Sequence, residues 1–302
     1  MKIRLIDVPM DLGAGRRGVD MGPSALRLAG IKEKINRMGF HVEDDQDDIF
    51  VPIPEHGHIS DPKLKFIGEI QTACEHLARR VELAKSEGAF PIVMGGDHSI
   101  AIGTIAGLSA YYRKQGKRLG VVWVDAHADM NTPETSPTGN IHGMPLAVNV
   151  GLGARELTSL HGDFRKVDPK NVALIGIRDL DEDEKKNVRA MGIHAYTMAD
   201  IDRMGIYQVI HEAISILKEQ VDVLHISFDV DGMDPAVAPG VGTPVMGGLR
   251  YRETHLIMET LAETGLVGSM EITEINPILD IRNQTAEVAV EMVASALGKT
   301  IL

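Results

Sequence analysis

The chain has 302 residues, 44% of them hydrophobic and 25% charged, with 43 acidic against 31 basic side chains and a formal net charge of −12. That length and composition suit a globular α/β protein with a sizeable core. The acidic balance argues against nucleic acid as a partner, because binding phosphates needs a basic face.

Cys74 is the only cysteine, so no intrachain disulfide forms, and a reducing compartment is expected. It falls in the helical stretch Ile70 to Glu75, where packing is its expected role. No apolar run approaches 18 residues, so no membrane span is expected. Met1 to Asp7 lacks the apolar core of a signal peptide, and the expected location is cytoplasmic.

Residues 2–8 read as a strand. Gly13-Ala14-Gly15-Arg16-Arg17-Gly18 matches G-x-G-x-x-G by spacing, but the next helical pattern opens only at Pro23. A dinucleotide fingerprint needs the helix to open at the glycines, so this stretch reads as a loop. Pro23 to Met38 reads as one helix, with Pro23 at its first position and Gly39 past its end. Glu43 to Asp48 is an acidic run expected to be a solvated loop, and prolines around Glu55-His56-Gly57-His58 make that stretch a surface loop as well.

An amphipathic helix follows over 63–87, a strand over Phe90 to Met94, a helix over about 99–115 and a strand over 119–124. Residues 130–142 are a polar loop, and Asn171 to Ile177 a strand leading through Arg178 to Glu184 into a helix. The alternation continues as strand 193–197, helix 205–219, strand 221–228, helix 250–263, strand 266–272 and helix 285–298. Such alternation predicts a three-layer α-β-α fold, doubly wound around a mostly parallel sheet of about eight strands. No long linker or repeat interrupts it, so residues 1–302 read as a single domain. Ligands of such sheets bind beyond the carboxyl ends of the strands. His98, Asp125 to Asp129, Arg178 to Glu184, Asp229 to Asp231 and Glu274 all fall there.

Two apolar strands end in ligand-rich patterns. Val121 to Val124 runs into Asp125-Ala126-His127-Ala128-Asp129, and Val221 to Phe228 runs into Asp229-Val230-Asp231. Alternate residues of an extended chain share a face, about 6.6 Å apart, so Asp125, His127 and Asp129 are expected to converge. With His98 and the second Asp pair they make four carboxylates and two imidazoles, too many for one ion. They suit two ions about 3.5–4 Å apart. Without cations such a set would be strongly repulsive. An oxygen-rich site without cysteine points towards Mn²⁺, with Fe²⁺ or Co²⁺ open, rather than structural zinc. His225 and Ser227 share the face of Asp229 and are candidates to orient a ligand. Glu271, three residues before Glu274 and on the opposite strand face, is expected to be structural.

Gly95-Gly96-Asp97-His98-Ser99, Asp125 to Asp129 and Ser227 to Pro235 resemble the signatures of the ureohydrolase family, in family order and nearly end to end. Thr138-Gly139-Asn140-Ile141-His142-Gly143 is similar to the pattern of the arginases within that family, with Thr138 where the pattern usually has Ser. The resemblance implies a site with two Mn²⁺ ions per subunit, hydrolysis of L-arginine to L-ornithine and urea by a hydroxide between the metals, and a homo-oligomer, trimer or hexamer. It implies that Asp125 and Asp229 bridge the metals, with His98 and Asp129 completing one shell and His127 and Asp231 the other. It makes Asp129 the first proton carrier, His142 a proton shuttle titrating near neutrality, and Glu274 the partner of the guanidinium. Asn131, Ser136 and Thr138 offer neutral donors to a substrate carboxylate, and Asn140 is a further substrate-binding candidate; Asp181 offers a partner for the ammonium, with Glu184 acting through water. Thr243 in Gly242-Thr243-Pro244 resembles a pocket residue, or else is a turn hydroxyl before proline. The alternatives are an amidinohydrolase for agmatine or guanidinobutyrate, a zinc-dependent deacetylase, and a metal-stabilised binding protein without turnover.

Overall fold

A computed structural model describes residues 1–45, 49–57 and 59–300. Gln46, Asp47 and Asp48 of the acidic run, and His58, lie outside the described residues. Eight strands form one sheet: β1 (Lys2–Val8), β2 (His41–Asp44), β3 (Phe90–Gly95), β4 (Leu119–Val124), β5 (Val172–Ile177), β6 (His194–Thr197), β7 (Val223–Asp229) and β8 (Val267–Thr273). Their order is β2-β1-β3-β8-β7-β4-β5-β6, and every neighbouring pair is parallel.

The central strands are buried on both faces, which is why they read as continuous apolar runs. Alternation along β4 feeds two cores. Val122 and Val124 join Ile226, Phe228 and Ile272 in one, which includes buried residues of helices Ile206–Gln220, Tyr251–Glu263 and Gln284–Ala296. Val121 and Trp123 join Val93 and Ile6 in the other, with residues of helices Ile67–Ser86 and Ala101–Lys114. Cys74 is buried in this second layer and burial pushes its thiol up, so packing is its role.

The chain builds the sheet outward before it fills the middle. It places β1 to β3 on one side and β4 to β6 on the other, and then returns to insert β7 and β8 between β3 and β4. The carboxyl ends of β3, β8, β7 and β4 therefore stand side by side, and the segments that carry His98, Glu274, Asp229 to Asp231 and Asp125 to Asp129 leave the sheet there.

Two expectations are corrected. The helix over Pro23 to Met38 is two helices, Gly22–Leu28 and Ile31–Arg37, because Gly30 takes a left-handed backbone with φ 79° and ends the first. The start of the acidic run is not a loop but the edge strand β2. Its carboxylates are held by cations of neighbouring elements: Glu43 by Lys2 at 2.8 Å and Arg4 at 3.0 Å, Asp44 by Arg27 at 2.8 Å and by Lys32. The short helices Pro145–Asn149, Arg155–Thr158 and Met198–Met204 also had no place in the sequence reading.

These ion pairs make the edge sensitive to acid. The bond from Lys2 and then that from Arg4 hold the Glu43 carboxyl below its usual range. Burial pushes Asp44 up, but bonds from Lys32 and Arg27 more than offset it, and it too is lowered. A depressed carboxyl contributes stability above its unfolded pKa, about 4, and loses it as pH falls through the folded value. Hydrogen-exchange protection of the His41–Asp44 amides is therefore expected to fall below about pH 4, relative to the central strands. Equal protection at pH 7 and pH 3 would show that these pairs do not hold the edge.

Candidate metal centre

β3 delivers His98. The strand ends at Gly95, and Asp97 caps the turn His98–Ile100 by accepting from Ser99 N at 3.0 Å and from the Ser99 hydroxyl. The His98 ring is buried and stacks on Trp123, with centroids 4.1 Å apart and planes at 15°. Its Nε2 lies 2.8 Å from Ser227 Oγ. Its Nδ1 has no hydrogen-bond partner, yet lies 3.1 Å from an oxygen of each of Asp125, Asp129 and Asp229.

β4 delivers the next three residues, but not as an extended strand. It stops at Val124, and Asp125 to His127 form a bend in which Asp125 Oδ1 accepts from His127 N at 2.6 Å. Trp123 Nε1 donates to Asp125 Oδ2 at 2.9 Å. Asp129 takes a left-handed backbone, φ 51°, that few non-glycine residues adopt. Convergence of D-x-H-x-D thus comes from a turned segment rather than from strand alternation.

β7 ends on Asp229, whose Oδ1 accepts from Asp231 N at 2.8 Å and caps the turn Val230–Gly232. Asp231 Oδ1 accepts from Ala126 N at 3.2 Å, tying this turn to the β4 segment. A side chain at Gly232 would put its Cβ 2.9 Å from Asp125 N, so the approach of the two loops requires glycine there. Arg178 secures the same turn, donating to the carbonyls of Asp231 at 2.8 Å and Gly232 at 3.0 Å.

Two clusters result, one of His98, Asp125 and Asp229 and one of Asp125, His127 and Asp231, each with ligand atoms within 4.8 Å of one another. Asp129 Oδ2 faces the first, and His127 Nδ1 lies 3.2 Å from Asp231 Oδ2 in the second. Burial, Asp231 and Asp125 push the Asp229 carboxyl well up; burial and Asp125 push Asp129 up to about 6. Burial opposes a charge on His98, but the carboxylates of Asp125, Asp129 and Asp229 around Nδ1 outweigh it and hold the ring well above its usual pKa. Carboxylates and imidazoles gathered this closely are a donor set that could hold divalent cations.

Glu274 leaves β8 with a left-handed backbone, φ 65°. Its Oε1 accepts from His98 N at 3.0 Å and lies 2.9 Å from His142 Nδ1, while its buried Oε2 has no partner. Burial lowers the His142 pKa, but Glu274 more than reverses this and the ring is pushed up to about 9, above the near-neutral titration expected from the sequence.

Asn131, Ser136, Thr138, Asn140, His142, Asp181, Glu184, Thr243 and Glu274 all line one cavity with the ligand clusters. Asn131 Nδ2 donates to Asp181 Oδ2 at 3.1 Å. Ser136 Oγ accepts from Gly139 N, Thr138 Oγ1 from Asn140 N, and Asn140 Oδ1 from Lys65 Nζ. Glu184 accepts from Met130 N at 3.0 Å and Asp181 N at 3.3 Å; burial raises its carboxyl to about 7. Thr243 Oγ1 donates to Asp231 Oδ2 at 2.9 Å.

The glycine-rich loop has no helix at its glycines. Gly13 N donates to Asp97 Oδ2 at 2.8 Å and Gly13 O accepts from His142 N at 3.2 Å, so the loop braces the site. A Cβ on Gly13 would stand 2.6 Å from Asp97 Oδ1 and Ser99 Oγ.

Sequence reasoning passed over Asp179, which lines the cavity, and the roles of Trp123, Asp97 and Arg178. It also placed Glu271 apart from the site. The structure puts Glu271 beneath it, accepting from Ser227 at 2.7 Å. The available signal was the polar alternation Ser269-x-Glu271-x-Thr273 opposite His225-x-Ser227-x-Asp229.

A sequence model of the arginase family matches residues 1–298. The arginase of Bacillus caldovelox is 51% identical over 303 residues, covering 99% of each chain. The crystal structure of an arginase from Bacillus cereus superposes with a TM-score of 0.94 at 50% identity and covers all of both chains. An Entamoeba histolytica arginase solved in complex with L-ornithine has a TM-score of 0.90 at 33% identity, covering 99% of each chain. The matched span includes the strand ends that carry His98, Asp125 to Asp129 and Asp229 to Asp231, and the chain is a hydrolase that belongs to the arginase family.

Proposed function

We propose that the protein hydrolyses L-arginine to L-ornithine and urea at a pair of Mn²⁺ ions. His98, Asp125, Asp129 and Asp229 hold one ion; Asp125, His127, Asp229 and Asp231 hold the other. The observation that carries this reading is the division of Asp125, whose two oxygens face different imidazoles, 3.1 Å from His98 Nδ1 and 3.3 Å from His127 Nδ1. Two cations held by these residues would lower the pKa of a bound water and so would supply hydroxide at neutral pH. A donor set of carboxylates and imidazoles without thiolate favours Mn²⁺.

A guanidinium carbon is a poor electrophile because its charge spreads over three nitrogens, so it must be held in line. Glu274 is suited to this: one oxygen is fixed by His98 N and the other is buried without a partner. A carboxylate fixed in this way pairs a guanidinium and presents its carbon to the ligand clusters. Asp129 is the first proton carrier. His142, charged at neutral pH beside Glu274, donates to the leaving amine. At the far end, Asn131, Ser136, Thr138 and Asn140 read the α-carboxylate without an arginine that would repel the guanidinium. Asp181 faces the α-ammonium, and Glu184 steadies Asp181 and the loop. Thr243 meets Asp231 and so bears on the ligand cluster. The arginase names of the full-length relatives, one of them bound to ornithine, support arginine over agmatine.

Three measurements test the reading. Urea release from arginine after Mn²⁺ loading should be abolished by a chelator and should greatly exceed release from agmatine; equal rates would make the carboxylate contacts irrelevant. Asp129→Ala should retain one ion per chain by elemental analysis and lose most activity, and normal turnover with two ions would remove Asp129 from the site. His142→Asn should keep both ions and slow turnover by roughly 10²- to 10⁴-fold, the usual contribution of one proton transfer. A donor is active while protonated, so the native rate should fall as pH rises through about 9, and the variant should lack that limb. An unchanged limb would assign the proton to another group.

A further inference from the structure

Below the ligand clusters lies a polar row of which the reaction above uses only Asp229. The pairing of β7 with β8 sets His225 beside Ser269, Ser227 beside Glu271 and Asp229 beside Thr273. Alternation puts all six on one face of the sheet. Glu271, His225 and Ser227 have no exposed surface. A buried carboxylate is costly without a strong partner, and Glu271 has no Lys or Arg beside it among the described residues. Its Oε1 accepts from Ser227 Oγ at 2.7 Å and lies 3.2 Å from His225 Nε2, while Oε2 has no partner. His225 Nδ1 in turn lies 3.0 Å from Ser269 Oγ. Burial pushes the Glu271 carboxyl up, but His225 beside it pulls it back and it stays below its usual range.

The chain of contacts allows one arrangement of protons. An ionised carboxylate only accepts, so the Ser227 hydroxyl proton points to Glu271. Ser227 Oγ can then only accept across the 2.8 Å contact with His98, so His98 Nε2 carries a proton. A neutral imidazole protonated on Nε2 has its lone pair on Nδ1. Nδ1 is the atom that faces Asp125, Asp129 and Asp229 at 3.1 Å without a hydrogen bond. Stacking on Trp123 holds the plane of the ring but not which way round it lies, and the bond to Ser227 supplies that choice. No equivalent chain reaches His127 among the described residues, whose ring is partly exposed.

We propose that Glu271 is a positioning residue for the metal centre: acting through Ser227, it fixes the proton of His98 on Nε2 and keeps Nδ1 open to the cation between Asp125, Asp129 and Asp229. The inference rests on the two-cation reading of the site. It sets the affinity for one ion of the pair and leaves the other, held by His127 and Asp231, nearly untouched.

The test is Mn²⁺ binding to the purified full chain, measured by titration calorimetry and by ion content after graded chelation. Glu271→Met keeps the length of the side chain and removes the acceptor. Ser227 is then free to donate to His98 Nε2, which moves the ring proton to Nδ1. Affinity for one ion should fall about 10- to 100-fold, the usual effect of losing an outer partner of a metal ligand. Glu271→Gln, whose amide oxygen can still accept from Ser227, should recover most of it. Removing the acceptor also leaves Ser227 and His225 without that partner, so a lower melting point of the metal-free variant is expected from either role. A purely structural role would weaken both ions together instead. Ser227→Ala should reproduce the loss, and the double variant should lose no more than either single one. Both ions bound with native affinity in Glu271→Met, equal weakening of both, or additive losses in the double variant would each overturn the proposal. A native chain that binds fewer than two ions would instead overturn the two-cation reading.

Discussion

Four carboxylates meet in the interior of this protein, and their mutual repulsion is the constraint around which the rest is arranged. Asp125, Asp129, Asp229 and Asp231 are all buried, so water does little to separate their charges. The pKa shifts record the conflict: Asp129 and Asp229 are driven towards their neutral forms, while His98 is driven towards its charged one. Divalent cations bound there would resolve it with the carboxylates ionised. The backbone bears part of the cost as well. Asp129 and Glu274 both hold left-handed conformations that the surrounding structure must enforce.

The enforcement is visible as ties between loops that are far apart in sequence. Asp97 holds the Gly13 loop, Glu184 holds Met130 and Asp181, and Asp231 holds Ala126. Arg178 donates to the carbonyls of Asp231, Gly232, Met233 and Val245, so one side chain fixes both the second ligand turn and the segment carrying Thr243. The site is built on strand ends, and these polar contacts complete it where strand geometry stops.

Much of this was legible in the sequence because burial on both faces leaves a plain mark. β3, β4, β5 and β7 are apolar runs that end in polar clusters, and those clusters do line one crevice. What was hidden depended on partners distant in sequence. β2 is short and charged, and only Lys2, Arg4, Arg27 and Lys32 make it an edge strand. The break at Gly30 was masked by apolar periodicity continuing on either side of it. Strand alternation gave the right company for Asp125, His127 and Asp129 for the wrong reason, since the segment turns. The same rule misplaced Glu271 relative to Glu274, because Glu274 leaves the strand before the alternation reaches it.

The strand order has a consequence for assembly. β3 and β4 are three sheet spacings apart, about 14 Å, and the two strands that fill the gap come from the last third of the chain. An ion held by both His98 and Asp125 would therefore need β7 and β8 in place between them, so its capture would report a completed sheet.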